Sequence, residues 1–196
     1  MLHNTFYNNP DNKTEQHNYD HYKNPLNNMT FSMECSNSDE RFAQFAFIEA
    51  ERSNLPMKHG CIAVSGGKII ARGHNHYRTY SKDGLIEGCS CHAEIDVMRK
   101  VLKRNRKNKI NLYIVRASES GEYRNSAPCN TCVSILKRYN IRMIIYSKDD
   151  GSLEKYKLIH YTNTHQTGGE KAILNNRVIS RHMGRYIIFK DNLKHC

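Results

Sequence analysis

A chain of 196 residues with 38% hydrophobic content is long enough to bury one core, and a single folded domain is expected. Residues 1–9 lack the basic start and apolar run of a signal peptide, and no later stretch is apolar enough to cross a bilayer, so a soluble, cytoplasmic protein without a membrane partner is expected. Seven cysteines, with Cys129 and Cys132 at metal spacing, argue against a secreted disulfide scaffold, and Cys35, Cys61 and Cys196 read as free thiols. The net charge of +11 suggests an anionic partner, a nucleotide or a nucleic acid.

Residues 1–38 are rich in Asn and show no apolar periodicity, which predicts a disordered arm. This arm carries two cations against four carboxylates, so the remaining chain carries +13. The folded domain is expected over 39–196, with a motif-bearing core at 39–147 and an extension at 148–196. Ser38 or Asp39 is placed to cap a first helix, with Phe42, Phe45, Ala46 and Ile48 as its apolar stripe. Two strand-like runs follow, 60–65 and 68–73, joined by Gly66-Gly67, a pair suited to a tight hairpin. Residues 74–90 read as a long polar loop. From His92 the apolar positions Ala93, Ile95, Val97, Met98, Val101 and Leu102 fit a buried helix, and 110–115 reads as a strand. Pro128 suits a helix start, Val133, Ile135 and Leu136 give that helix an apolar face, and 141–146 is the next strand. This order predicts an α/β fold, a three-layer αβα sandwich around a mixed sheet of roughly five strands. Beyond it, 155–161 and 186–190 read as strands, and Gly168-Gly169 as a break.

His92, Cys129 and Cys132 can hold a zinc ion and leave its fourth position open, the pattern of a catalytic site. Two helix starts facing one point would favour thiolates, and Cys129 and Cys132, three apart, share one face of a first turn. Zinc draws the pKa of water from about 15.7 towards about 7. Glu94, two residues from the imidazole, is placed to move the water's protons.

His-x-Glu followed by Pro-Cys-x-x-Cys is the pattern of zinc-dependent nucleobase deaminases. The chain resembles the cytidine and deoxycytidylate deaminase superfamily over roughly 39–147, including the order of elements around each motif. The resemblance implies Zn2+ as cofactor, His92, Cys129 and Cys132 as its ligands, and Glu94 as the catalytic proton shuttle. Gly73-His74-Asn75 is similar to the family's Gly-x-Asn segment, which makes Asn75 a substrate-binding candidate. Ala127 sits where the family offers a backbone carbonyl to the exocyclic amine of the base. Histidine at 92 turns the expectation away from free cytidine, and Pro-Cys-Asn-Thr-Cys is similar to the Pro-Cys-Asn-Glu-Cys of deoxycytidylate deaminases, with Thr131 as the departure. The implied function is hydrolytic deamination of a cytosine-type base on a nucleotide, dCMP-like, giving the uracil form and ammonia. Deamination of bases in RNA or DNA is the first alternative, and a catalytically silent zinc fold that binds nucleic acid or a protein the second. The family's habit of assembling implies a homo-oligomer.

Cys89 and Cys91 adjoin His92 and could close the metal site, although the simpler expectation points them elsewhere. His74 and His76 are expected as polar groups of the substrate-side loop. The run Arg99, Lys100, Lys103, Arg104, Arg106, Lys107 and Lys109 could track a polynucleotide or simply face water. A rise of about 1.5 Å per residue puts Arg104 on the order of 18 Å from His92 along the helix, and no aromatic residue interrupts the run for stacking.

Overall fold

The computed structural model describes residues 32–86, 88–104, 109–175, 178–180 and 187–189. Its elements are α1 (Asn37–Glu51), β1 (Lys58–Ser65), β2 (Lys68–His74), α2 (Ala93–Lys103), β3 (Ile110–Ala117), β4 (Tyr123–Arg124), α3 (Asn130–Leu136), β5 (Ile141–Ser147), β6 (Leu153–Lys157), α4 (Gly168–Leu174), β7 (Val178–Ser180) and β8 (Ile187–Phe189). The main sheet runs β2-β1-β3-β5-β6, with β4 appended to β3, while β7 and β8 pair separately. Only β3 and β5 are parallel neighbours; the other pairs are antiparallel, so the sheet is mixed as expected.

Strand alternation explains the three layers. Ile62, Val64, Tyr113, Val115, Met143 and Ile145 face α1, where Ala43 and Ala46 meet them. The alternate residues Cys61, Ala63, Leu112, Ile114 and Ile144 face Ala93, Val97 and Met98 of α2, with Val133 and Leu136 of α3 in the same cluster. Gly66 and Gly67 take φ of 56° and 71°, the left-handed pair that a two-residue hairpin requires. At Gly60 a Cβ would strike the Ala46 carbonyl and the Ala50 nitrogen, so this glycine lets α1 lie directly on β1.

The first helix differs from expectation at its start. Ser36 is the cap, because Asp39 occupies the third helical position and returns the bond: its carboxylate accepts from the Ser36 N–H while Ser36 Oγ accepts from the Asp39 N–H. Phe45 and Ile48 lie on the exposed side of α1, and the Arg72 guanidinium stands 5.0 Å above the Phe45 ring. Of the expected disordered arm, residues 1–31 lie outside the described residues; Met33 bridges to Lys155 of β6 through a 2.8 Å hydrogen bond.

The extension also holds more order than its sequence suggested. The strand placed at 155–161 is Leu153–Lys157 followed by a 3-10 turn, Leu158–His160. Gly168 and Gly169 open α4, since Thr167 and Glu170 form a capping box there. The strand expected at 186–190 contains β8, its two end residues lying outside the described residues. No described helix is long and apolar enough to cross a membrane.

Candidate metal centre and substrate-side residues

Strands β2, β3 and β5 run in one direction, so the starts of α2 and α3 gather at the same sheet edge, where ligands of open α/β sheets bind. His92 is the N-cap residue of α2 and makes no side-chain cap; its ring turns instead to the sulfurs. Cys129 is the N-cap of α3, its sulfur accepting from the Cys132 N–H at 3.5 Å. His92 Nδ1 lies 3.2 Å from Cys132 Sγ and 3.5 Å from Cys129 Sγ, and the three donor atoms lie within 4.8 Å of one another. Ligands about 2.0–2.3 Å from a tetrahedral zinc stand about 3.5 Å apart, so the donor set fits that ion.

The electrostatics suit a cation as well. The Cys132 hydrogen bond pulls the Cys129 thiol down to about 5 against the effect of burial, with His92 adding to the pull. Burial disfavours a charged His92, yet Cys129 and Glu94 together hold its imidazole up at about 9. Glu94 is buried at 5% exposure; burial raises its carboxyl, with His92 opposing.

The loop before α3 is fixed from below. Ser126 Oγ donates to the Ile114 carbonyl at 2.8 Å and accepts from the Ser147 N–H at 3.0 Å, which sets the level of Ala127 and Pro128. The Ala127 N–H donates to Asn125 Oδ1, and its carbonyl accepts no hydrogen bond among the described residues. Asn75 is 7% exposed and clamps the start of β1: Oδ1 accepts from the His59 N–H at 2.8 Å, and Nδ2 donates to the Met57 carbonyl at 2.6 Å.

Neither Cys89 nor Cys91 joins the three-donor group. Cys91 is buried and its thiol is pushed up to about 12 by that burial. Cys89 Sγ lies 3.8 Å from the Gly169 carbonyl. His74 Nδ1 stands 4.0 Å from Glu49 and His76 Nε2 3.7 Å from Asp96, away from the sulfurs. The basic run is partly occupied internally: Lys100 donates to the Arg72 carbonyl and to Asp96, Arg104 to the Ile70 carbonyl, and Arg99 to Asp83, so two of its cations close the open edge of β2. Arg106 and Lys107 lie outside the described residues.

Glu170 escaped the sequence reading. Its Oε1 lies 3.5 Å from Cys129 Sγ, while Asn163 Nδ2 donates to the Pro128 carbonyl and the Asn130 N–H to the His165 carbonyl, so residues 163–170 lie against the α3 start. Burial would raise the Glu170 carboxyl, but hydrogen bonds from Thr131 and the Thr167 backbone hold it below its ordinary range. The Thr-x-x-Glu capping box was the available signal for this helix.

The family model of the cytidine and deoxycytidylate deaminase zinc-binding region matches residues 36–148. The chain therefore belongs to the cytidine and deoxycytidylate deaminase family, whose members are hydrolytic deaminases with a zinc-binding domain. Among solved structures it is similar to a dCMP deaminase from the cyanophage S-TIM5, at 22% identity and a TM-score of 0.45, covering 60% of this chain and 89% of that one. It is also similar to a cytidine deaminase from Burkholderia pseudomallei, at 15% identity and a TM-score of 0.48, covering 64% of this chain and 98% of that one. No curated protein matches the chain.

Proposed function

We propose that this chain is a zinc-dependent aminohydrolase that converts a cytosine-type base on a nucleotide, dCMP-like, to its uracil form with release of ammonia. The convergence of His92, Cys129 and Cys132 beside the buried Glu94 carries this reading. A zinc ion held by those three donors would supply a Lewis acid and an acidified water. Glu94, its carboxyl raised by burial, is suited to take a proton from water, deliver it to the base ring and later protonate the departing amine. The Ala127 carbonyl, which accepts no hydrogen bond from the described residues, suits the exocyclic amine. Asn75 keeps one amide N–H and one lone pair beyond its backbone clamp, enough to contact substrate without releasing β1.

Arg99, Lys100 and Arg104 engage groups of their own domain, an observation that favours a nucleotide over a polynucleotide tracked along that helix. The test is ammonia release by the zinc-loaded protein from cytosine, guanine, cytidine, CMP, dCMP and short cytosine- or adenosine-containing strands. Release from dCMP above the others is expected. Release from strands alone selects the polynucleotide alternative, and no release with zinc bound selects the silent zinc fold.

A further inference from the structure

The antiparallel register of β1 and β3 sets His59 directly opposite Arg116, one step beyond Gly60 and Val115. Paired residues of this kind share a face. It is the face of Cys61, Ala63, Leu112 and Ile114, the one that packs on α2 and carries the metal centre. On the other side of β3, Arg116 pairs with Arg124 of β4, so the His59 imidazole, the Arg116 guanidinium and the Arg124 guanidinium follow one another, in that order, at the sheet edge where α2 and α3 begin.

The row holds a cation that its own domain leaves unpaired among the described residues. Arg116 is only partly exposed, yet among the described residues its guanidinium has no carboxylate within 4.0 Å and no hydrogen-bond partner; its backbone N–H alone is bound, to Ser147 Oγ at 3.2 Å. Arg124, by contrast, is paired with Glu122 at 2.9 Å. A guanidinium that no carboxylate of its own domain engages keeps its forked donors open to an external anion. His59 adds no positive charge, since burial holds its imidazole down at about 4, with Arg116 and the metal-site His92 both within electrostatic reach. Its Nδ1 lies 3.2 Å from the Met57 carbonyl, an acceptor, which leaves Nε2 as a hydrogen-bond acceptor. An acceptor beside a forked donor suits a sugar hydroxyl next to a phosphate.

We infer that Arg116 is the residue that reads the substrate's phosphate, with His59 beside it against the sugar, so that the site takes a nucleoside monophosphate in preference to a free nucleoside. The inference rests on the deaminase reading for the location of the base and on the Arg116 surroundings for the phosphate. A planar fork can grip a phosphate through two parallel hydrogen bonds. One unpaired guanidinium suits a single phosphate, whereas a strand needs a row of free cations.

Equilibrium binding of the reaction products separates the two readings, because products bind without turnover. With zinc-loaded wild type, dUMP should bind at least about tenfold more tightly than deoxyuridine, the ratio expected for one charge-assisted pair. In Arg116→Gln the ratio should fall to about twofold, with deoxyuridine affinity unchanged, and Arg116→Lys should keep part of the preference. A phosphate preference that survives Arg116→Gln, or an equal loss for both ligands, overturns the inference. So does a short uracil strand that binds more tightly than dUMP and depends equally on Arg116. If Arg116→Gln does not fold, Arg116→Lys carries the test through its ratio alone. Arg116-dependent dUMP binding without ammonia release from any substrate would leave the phosphate seat standing and remove the deaminase reading.

Discussion

The Glu170 carboxylate stands 3.5 Å from the Cys129 sulfur, linking α4 to a candidate metal ligand 41 positions earlier in the chain. When Cys129 acts as a thiolate ligand it has no proton to give that carboxylate, and two like charges face each other in a half-buried place. Glu170→Gln removes the repulsion, offers the sulfur an N–H, and still returns the Thr167 cap. It should tighten zinc binding by about tenfold, within the range that partners of metal ligands contribute. Competition with a chromophoric chelator measures this. Weaker zinc binding would show that the carboxylate supports the centre.

Glu94→Gln addresses the chemistry. The amide cannot shuttle protons, and turnover should fall by at least about a hundredfold, the usual minimum for a general acid-base group. Zinc content should stay at one ion per chain, because Glu94 lies outside the three-donor group. Metal analysis on the purified variant keeps the two effects apart. Undiminished turnover would remove Glu94 from the mechanism.

The legible parts of this protein were those in which chemistry fixes spacing. Three ligands for one ion demand a short set of residue types at set intervals, and Gly66-Gly67 is required by positive φ, so both could be read without coordinates. The strands were legible because alternate residues had to be apolar on both faces of a covered sheet. The stripe on α1 was not, because Phe42, Ala43, Phe45, Ala46, Phe47 and Ile48 are apolar nearly all round, and only packing shows that Ala43 and Ala46 take the inside. Lys100 and Arg104 read as part of a basic run that could track a polynucleotide or face water, yet they donate to the carbonyls of β2, contacts set by tertiary position alone. Glu170 and Arg116 belong to the same class: each gains its meaning from what another segment brings beside it.

Asp39 gives the domain an acid-sensitive joint. Its carboxylate takes a 2.8 Å bond from Lys155 Nζ and a 2.7 Å bond from the Tyr113 hydroxyl, while the Ser36 N–H and hydroxyl each donate at 2.9 Å. Burial alone would raise the group, but these bonds, that from Lys155 first, hold it at about 2 against an ordinary 3.8. A carboxyl whose folded value is depressed stabilises the fold above its unfolded value and loses that contribution as pH falls through the folded one. Asp39→Asn should therefore cost about 1–3 kcal/mol at neutral pH. The gap to wild type should narrow between pH 3.8 and about 2. Urea unfolding at pH 7 and at the acid end of that window measures it, and a gap independent of pH would overturn the assignment.

Gly60 is the point at which the first layer meets the sheet. The Ala46 carbonyl and the Ala50 nitrogen occupy the space a side chain would need, and both belong to helix backbone that cannot turn aside as a flexible side chain could. Gly60→Ala must therefore lift α1 from β1 or bend the strand between Asn75's clamp at His59 and the buried Cys61. Overpacking of this sort costs about 1–3 kcal/mol or more. Gly67, at φ 71°, has nothing within 4 Å of a built Cβ, so Gly67→Ala meets only the left-handed backbone penalty of about 1 kcal/mol. In parallel urea titrations Gly60→Ala should lose clearly more stability than Gly67→Ala and should also weaken dUMP binding, because His59 and Asn75 move with the strand. Equal losses, or an undisturbed ligand affinity in a folded Gly60→Ala protein, would show that α1 accommodates the methyl group without moving the sheet edge.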